Sequence, residues 1–373
     1  MSSEPVTWER EDHTAAKHDL LRRFFNKWVS IHSETFKKTS GGLVRIYDGF
    51  AGPGVYSGGE PGSPAILTRA LCEHPRLMTH WTGVDYEFHF VEMDSRRAMS
   101  LEERLKALQA EMRAQGKWSE RISWAVTCGR YEDNVPQPVA RRDSTLFLFL
   151  DPFGYSNSPM TLTLDVVQQP KADTLIFLPL SFVNRFVGRE GQEVALDRLF
   201  GTSEWRELPE GPGRPQRLLE LFQRQVRKGG LTYTLPFRLR PADGSNEYWI
   251  VGASAHPKGF ATIKEAYWAV DPIDGQGFEA PRGEIPGQEA LFELQSPGSP
   301  NTQALLAHLR STFDRSWFTV EDAIALTERS RFLDSHLKKT TLAPAERGGL
   351  LEVERPAGAR QFKEGKGIRL RFK

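Results

Sequence analysis

Residues 43–54 read Leu43-Val44-Arg45-Ile46-Tyr47-Asp48-Gly49-Phe50-Ala51-Gly52-Pro53-Gly54. The first five, set off by Gly41-Gly42, have the composition of a strand. From Asp48 to Pro64 the chain turns rich in glycine and proline. Glycine has no Cβ, so such a loop can bend sharply and let a ligand approach the backbone. Its spacing excludes two phosphate-binding loops. A dinucleotide loop, G-x-G-x-x-G, would need a glycine three residues after Gly54, where Ser57 stands. A P-loop ends in Gly-Lys-Ser/Thr, and no lysine lies near. Two readings stay open, a loop that cradles a ligand or a plain β-to-α turn.

Outward from this loop, strand and helix patterns alternate. Leu21, Phe24, Phe25, Trp28 and Ile31 fall at three- and four-residue steps and predict a helix from Thr14 to Ile31. Tyr86–Glu92, Ser123–Cys128, Leu146–Leu150 and Thr174–Leu180 read as strands, and Ser95–Gln115 and Leu162–Val167 as helices. The unbroken apolar run Leu146–Leu150 suits a strand buried on both faces of a parallel sheet. Leu231–Leu239 and Tyr248–Ala255 read as two further, paired strands. The expected fold class is α/β, a Rossmann-like, mainly parallel sheet with an antiparallel strand at its edge.

Acids close two of these strands. Glu92 ends Phe90-Val91-Glu92-Met93-Asp94, roughly forty residues after the loop. An acid there can accept both hydrogen bonds of a ribose diol; the alternative is a surface acid. Asp94 suits the cap of the next helix. Asp151 ends Leu148-Phe149-Leu150 and opens Asp151-Pro152-Phe153-Gly154-Tyr155. It either accepts a hydrogen bond from an amine or merely closes the strand in an Asp-Pro turn.

Asp-x-Phe-x-Gly-x-Gly resembles the first motif of class I S-adenosylmethionine-dependent methyltransferases. The resemblance implies that Asp48, Gly49, Phe50, Ala51, Gly52 and Gly54 cradle this cofactor and that Glu92 holds its ribose. Lys17 either reaches the cofactor carboxylate or is a solvated helix lysine. Ser63 either binds the same carboxylate or caps the helix near Pro64, and Tyr131 lies beside the adenine or is simply packed. Asp151–Tyr155 resembles the Asp/Asn-Pro-Pro-aromatic motif of amino-group methyltransferases. Phe153 replaces the second proline, and Gly154 stands at the aromatic position. Asp-Pro-Phe-Gly is also similar to the motif of tRNA guanine-N2 methyltransferases. The implied catalytic set is Asp151 and the Pro152 carbonyl, which orient the target nitrogen, with Phe153 or Tyr155 stacking on the base.

Further blocks are Lys17-His18-Asp19-Leu20-Leu21, Gly62-Ser63-Pro64, Ser181-Phe182-Val183-Asn184-Arg185-Phe186 and His256-Pro257-Lys258-Gly259. With the loop and Asp151–Tyr155 they resemble the three-Cys-motif partner proteins, a prokaryotic family with a methyltransferase-like domain. Gly62-Ser63-Pro64 and Lys17-His18 also resemble ribosomal adenine-N6 methyltransferases, so the motif resemblances together imply methylation of an exocyclic base amine, adenine N6 or guanine N2. The partner-protein resemblance leaves open a catalytically silent adaptor that recruits a Cys-rich radical enzyme, and a small-molecule or peptide methyltransferase is a further alternative.

The chain has 373 residues, enough for two domains. The expected division is a helical extension to residue 40, the methyltransferase-like domain over 41–272, a linker over 273–300 and a C-terminal module over 301–373. Glycines and prolines crowd the linker. A net charge of +1 excludes a globally basic nucleic-acid binder. Cys72 and Cys128 alone cannot build a disulfide framework or a cluster, and nine histidines without ligand spacing argue against a metal. The polar N-terminus lacks the apolar core of a signal peptide, so a cytoplasmic location is expected.

Three short helical patterns and a hairpin over 304–372 follow the order of a winged helix-turn-helix. From Arg329 to Lys373 there are twelve Lys or Arg against five Asp or Glu, a surplus of +7. Lys338, Lys339, Arg355, Arg360, Lys363, Arg369 and Arg371 are the candidate contacts to DNA or RNA phosphates; a protein-binding module with solvated charges is the alternative.

Overall fold

Leu20, Leu21, Phe24, Phe25, Trp28 and Val29 are all buried, which makes one side of a long first helix a continuous apolar stripe. In the computed structural model that helix, α1, runs Asp12–Phe36. Phe24 and Trp28 pack on Phe147 at ring separations of 5.1 and 5.5 Å, and Phe25 meets Phe88 at 6.4 Å. Such ring pairs each add about 0.5–1.5 kcal/mol beyond their buried area. The structure describes all residues except 1–4, 11, 38–40, 140–142, 153, 156, 170, 242–246, 280–298 and 360.

The chain continues through β1 (Gly42–Asp48), α2 (Ser63–Cys72), β2 (Val84–Glu92), α3 (Ser95–Ala114), β3 (Ile122–Cys128) and β4 (Ser144–Leu150). Next come α4 (Met160–Val167), β5 (Ala172–Leu178), α5 (Leu180–Phe186), α6 (Glu193–Phe200) and α7 (Arg214–Lys228). Strands β6 (Tyr233–Arg240) and β7 (Tyr248–Ser254), helix α8 (Pro257–Val270) and the short β8 (Gly277–Glu279) complete this part. The sheet order is β3-β2-β1-β4-β5-β7-β6-β8. β1 pairs in parallel with β2 and β4, and β4 in parallel with β5.

This is a mainly parallel, Rossmann-like sheet. β7 runs antiparallel to both β5 and β6, so the antiparallel strand lies inside the sheet and not at its edge. β1 and β5 are buried along their whole length, as strands covered on both faces must be. The apolar run read as a strand to Leu180 divides. Pro179 ends the pairing, and α5 starts at Leu180.

The chain forms two units, Met1–Ala266 with Phe278–Gly283, and Tyr267–Gly277 with Glu284–Lys373. Most of the expected linker lies outside the described residues. The second unit holds α9 (Gln303–Phe313), β9 (Phe318–Thr319), α10 (Val320–Glu328), α11 (Asp334–Leu337), α12 (Ala343–Arg347), β10 (Leu351–Glu354) and β11 (Arg369–Phe372). A π-helical turn over Lys338–Leu342 joins α11 to α12. Its sheet is three-stranded, β10-β11-β9, where the sequence pattern predicts only the hairpin. β9 is two residues long, too short to carry a periodic signal, and its Phe318 pairs with Leu370 across β11. Among the described residues no helix is long and apolar enough to cross a membrane.

Candidate functional site

The order of strands reverses between β1 and β4, and ligands in such sheets bind outside the strand ends at that point. The loop after β1 is tied to both neighbouring strands. Gly49 N donates to Phe149 O at 3.0 Å and Ala51 N to Val91 O at 2.9 Å. Gly52 and Gly54 have φ of +63° and +77°, the left-handed region that favours glycine. At Gly49 a Cβ would stand 2.7 Å from the Tyr131 ring and 2.8 Å from Leu150. Phe50, Gly52, Gly54, Tyr56, Ser63 and Asp151 line a hollow at this place.

Asp48 closes β1 and is fully buried. Ser63 Oγ donates to its Oδ2 at 2.7 Å, and Phe50 N donates to Oδ1 at 3.1 Å. Both oxygens are therefore spent on holding the loop. Ser63 is the first residue of α2, whose cap is Gly62 without a side-chain bond, so the serine does not cap the helix. Loss of hydration raises the Asp48 carboxyl from 3.8 to about 7, against the opposing pull of its two donors.

A raised carboxyl favours the fold while it keeps its proton. The contribution is complete below the unfolded value near 3.8 and is lost as pH rises through about 7. Between about pH 5 and about pH 8, wild type should lose a few kcal/mol of stability relative to Asp48→Asn. Thermal unfolding across that range reads the difference, and a gap that does not change with pH would remove Asp48 as its source.

Glu92 closes β2, and 7% of it is exposed. Its Oε1 accepts from Asp94 N at 2.8 Å, while Oε2 takes no hydrogen bond among the described residues. The bonded oxygen fixes the carboxylate at the strand end. Asp94 is the N-cap of α3, accepting from Arg96 N and Arg97 N.

Asp151, just past β4, forms an ion pair with Lys17 of α1. Lys17 is only 6% exposed, so it is not a solvated helix lysine. Its ammonium also lies 4.8 Å from the centre of the Phe177 ring. Asp151 Oδ1 accepts no hydrogen bond among the described residues. Next to Lys17, His18 is buried, and its pKa is held well below 6.5, first by burial and then by the Lys17 and Arg10 charges. Its imidazole stays neutral, with Nε2 3.5 Å from the Tyr56 hydroxyl.

Pro152 is buried beside this pair. Tyr155 is buried too, its hydroxyl donating to Gln192, so its ring face is turned to protein and not offered to a base. Phe153 lies outside the described residues. Tyr131 sits beneath the loop, 5.5 Å from the Phe50 ring and 6.5 Å from that of Tyr47, and is 2% exposed. Sequence reasoning missed Trp8. It lines the same hollow, its carbonyl accepts from Ser57 N at 2.9 Å, and the Arg97 guanidinium lies 4.9 Å from its ring centre. A lone tryptophan in a polar N-terminal stretch carries no periodic signal.

In the C-terminal unit four of the seven candidate cations have acidic partners. Arg371 and Arg369 stand directly opposite Glu352 and Glu354 in the β10–β11 ladder and pair with them at 2.6 and 3.3 Å. Lys338 pairs with Glu364, and Arg355 with Glu346, both at 2.6 Å. Lys339 and Lys363 are exposed and make no ion pair among the described residues, and Arg360 lies outside them. Four of the seven candidate cations are thus held by acids, while the +7 surplus, which already subtracts those acids, stays on the other side chains. Among the described residues no group of three or more His, Cys, Asp or Glu could hold a metal ion.

No protein-family model and no curated protein matches the chain. Among solved structures, a Legionella pneumophila protein of the DUF519 family is similar at 10% identity over 68% of this chain and 90% of that one, TM-score 0.37. A Listeria monocytogenes structure assigned to the class I S-adenosylmethionine-dependent methyltransferases is similar at 14% identity over 65% and 60%, TM-score 0.32. The O-methyltransferase TomG of Streptomyces achromogenes, in complex with S-adenosylmethionine, is similar at 15% identity over 68% and 99%, TM-score 0.30. Likenesses this weak leave the strand order and the residues at the strand ends as the ground for any functional reading.

Proposed function

We propose that the chain is an S-adenosylmethionine-dependent methyltransferase that modifies an exocyclic amine of a nucleic-acid base, adenine N6 or guanine N2. The observation that carries this reading is a convergence. The glycine loop, Glu92 and Asp151 stand at the C-terminal ends of three adjacent parallel strands, β1, β2 and β4. The residues fit the cofactor. Two glycines in left-handed geometry leave the loop backbone bare, and Glu92 keeps one carboxylate oxygen for a ribose hydroxyl. When bound, the cofactor supplies a methyl group on a sulfonium that is already a good leaving group.

The protein's own part is alignment. Asp151 Oδ1 and the Pro152 carbonyl accept hydrogen bonds from the target amine, which points its lone pair at the methyl group. Lys17 already lies on Asp151 as an N–H donor, so an incoming amine shares or displaces that contact. A base within a duplex has to be flipped out to reach these groups. Lys339 and Lys363 are the C-terminal cations proposed for phosphate contact. The quoted blocks carry the further proposal that the chain is a three-Cys-motif partner protein with a Cys-rich radical enzyme as its companion.

Purified protein incubated with methyl-labelled cofactor and separate DNA, RNA, protein and metabolite fractions tests the reading. Label is expected in a nucleic acid, recovered by nucleoside mass spectrometry as the N6-methyl or N2-methyl base. Label only in protein or metabolites would make it another methyltransferase. Cofactor binding with no transfer would make it a silent adaptor.

A further inference from the structure

Helix α5 begins two residues past the end of β5, the strand beside β4, and carries the block Ser181-Phe182-Val183-Asn184-Arg185-Phe186. Its aromatics form one cluster with Tyr155 of the Asp-Pro loop. Tyr155 lies 6.0 Å from Phe182 and 5.7 Å from Phe186, and these two rings are 4.7 Å apart. Tyr155 is the buried root of the cluster, whereas Phe182 is 39% exposed. Two exposed arginines extend it. Arg185 lies 5.9 Å from the Phe182 ring centre, and Arg189 5.0 Å from that of Phe186.

The helix is held from behind. Arg214 Nε donates to Asn184 Oδ1 at 2.8 Å, and Val183 is buried. Arg189 makes no ion pair among the described residues, and neither does the adjacent Glu190. Planar rings with guanidinium groups over them, on a fixed helix, match the needs of unpaired nucleic acid. Bases stack on aromatics and on arginine planes, and phosphates take the positive charge.

Resting on the methyltransferase reading above, we propose that Phe182, Phe186, Arg185 and Arg189 form a binding surface for single-stranded nucleic acid. It stacks the unpaired bases next to the target and leads the strand to Asp151. The charge on this surface selects nucleic acid over an apolar protein partner, and the stacking selects a single strand over a duplex.

Fluorescence anisotropy with a labelled single-stranded 12-mer, as DNA and as RNA, tests this on the full chain. Phe182→Ala should weaken binding about 10-fold, and Phe182→Trp should restore it. Arg185→Gln with Arg189→Gln should flatten the dependence of log affinity on log salt by about 1.4. The same sequence as a duplex should bind more weakly. If wild type binds the strand and both sets of variants bind it equally well, the surface is wrong and the nucleic-acid reading stands. If wild type binds neither DNA nor RNA, both fall. Because Phe182 is exposed and the arginines lie at the surface, the two sets fail independently of folding, which a melting curve checks.

Discussion

Asp151→Ala lowers methyl transfer by about 10²–10³-fold, the usual cost of removing a group that aligns or stabilises the reacting centre. The same substitution strands the Lys17 ammonium, which is nearly buried and has Asp151 as its acid. An uncompensated charge of that kind costs about 3 kcal/mol, so the single variant also melts early. Lys17→Met combined with Asp151→Ala removes both charges and should recover most of the stability without recovering turnover. Cofactor binding to the double variant, measured by calorimetry, should survive. Unchanged turnover in either variant would remove Asp151 from the mechanism, and recovered turnover in the double variant would make the first defect one of folding.

Glu92→Gln weakens cofactor binding by about 10–100-fold, because a hydrogen bond to a charged acceptor is worth roughly 1.5–3 kcal/mol. The glutamine carbonyl can still accept from Asp94 N, so the start of α3 is kept. A cofactor analogue lacking one ribose hydroxyl gives the second arm of a cycle. It should lose affinity for wild type and little for the variant. Equal losses on both proteins would detach Glu92 from the ribose. This result is independent of the acceptor substrate and bears only on the cofactor.

The strand ends carried most of the site that was legible beforehand. Asp48, Glu92 and Asp151 each close a strand, and the strand patterns before them are local signals. What those acids do was less legible. Asp48 is spent on Ser63 and Phe50 N, and Ser63, expected to cap a helix or bind a carboxylate, donates inward instead. Tyr155, expected to stack on a base, is the buried end of an aromatic cluster whose exposed member is Phe182. Neither role has a periodic signature, because each depends on which strand lies beside which.

The amino-acid sequence by itself determined the alternation of strands and helices, the loop after β1 and the cap at Asp94. All of these arise from patterns within about twenty residues, where backbone geometry and apolar period act directly. Only the tertiary structure decided which charges meet. Lys17 and Asp151 are 134 residues apart, and the cations of β11 find Glu352 and Glu354 through strand register. A charge count cannot distinguish a paired side chain from an open one, since hydration is lost or kept according to what packs against it.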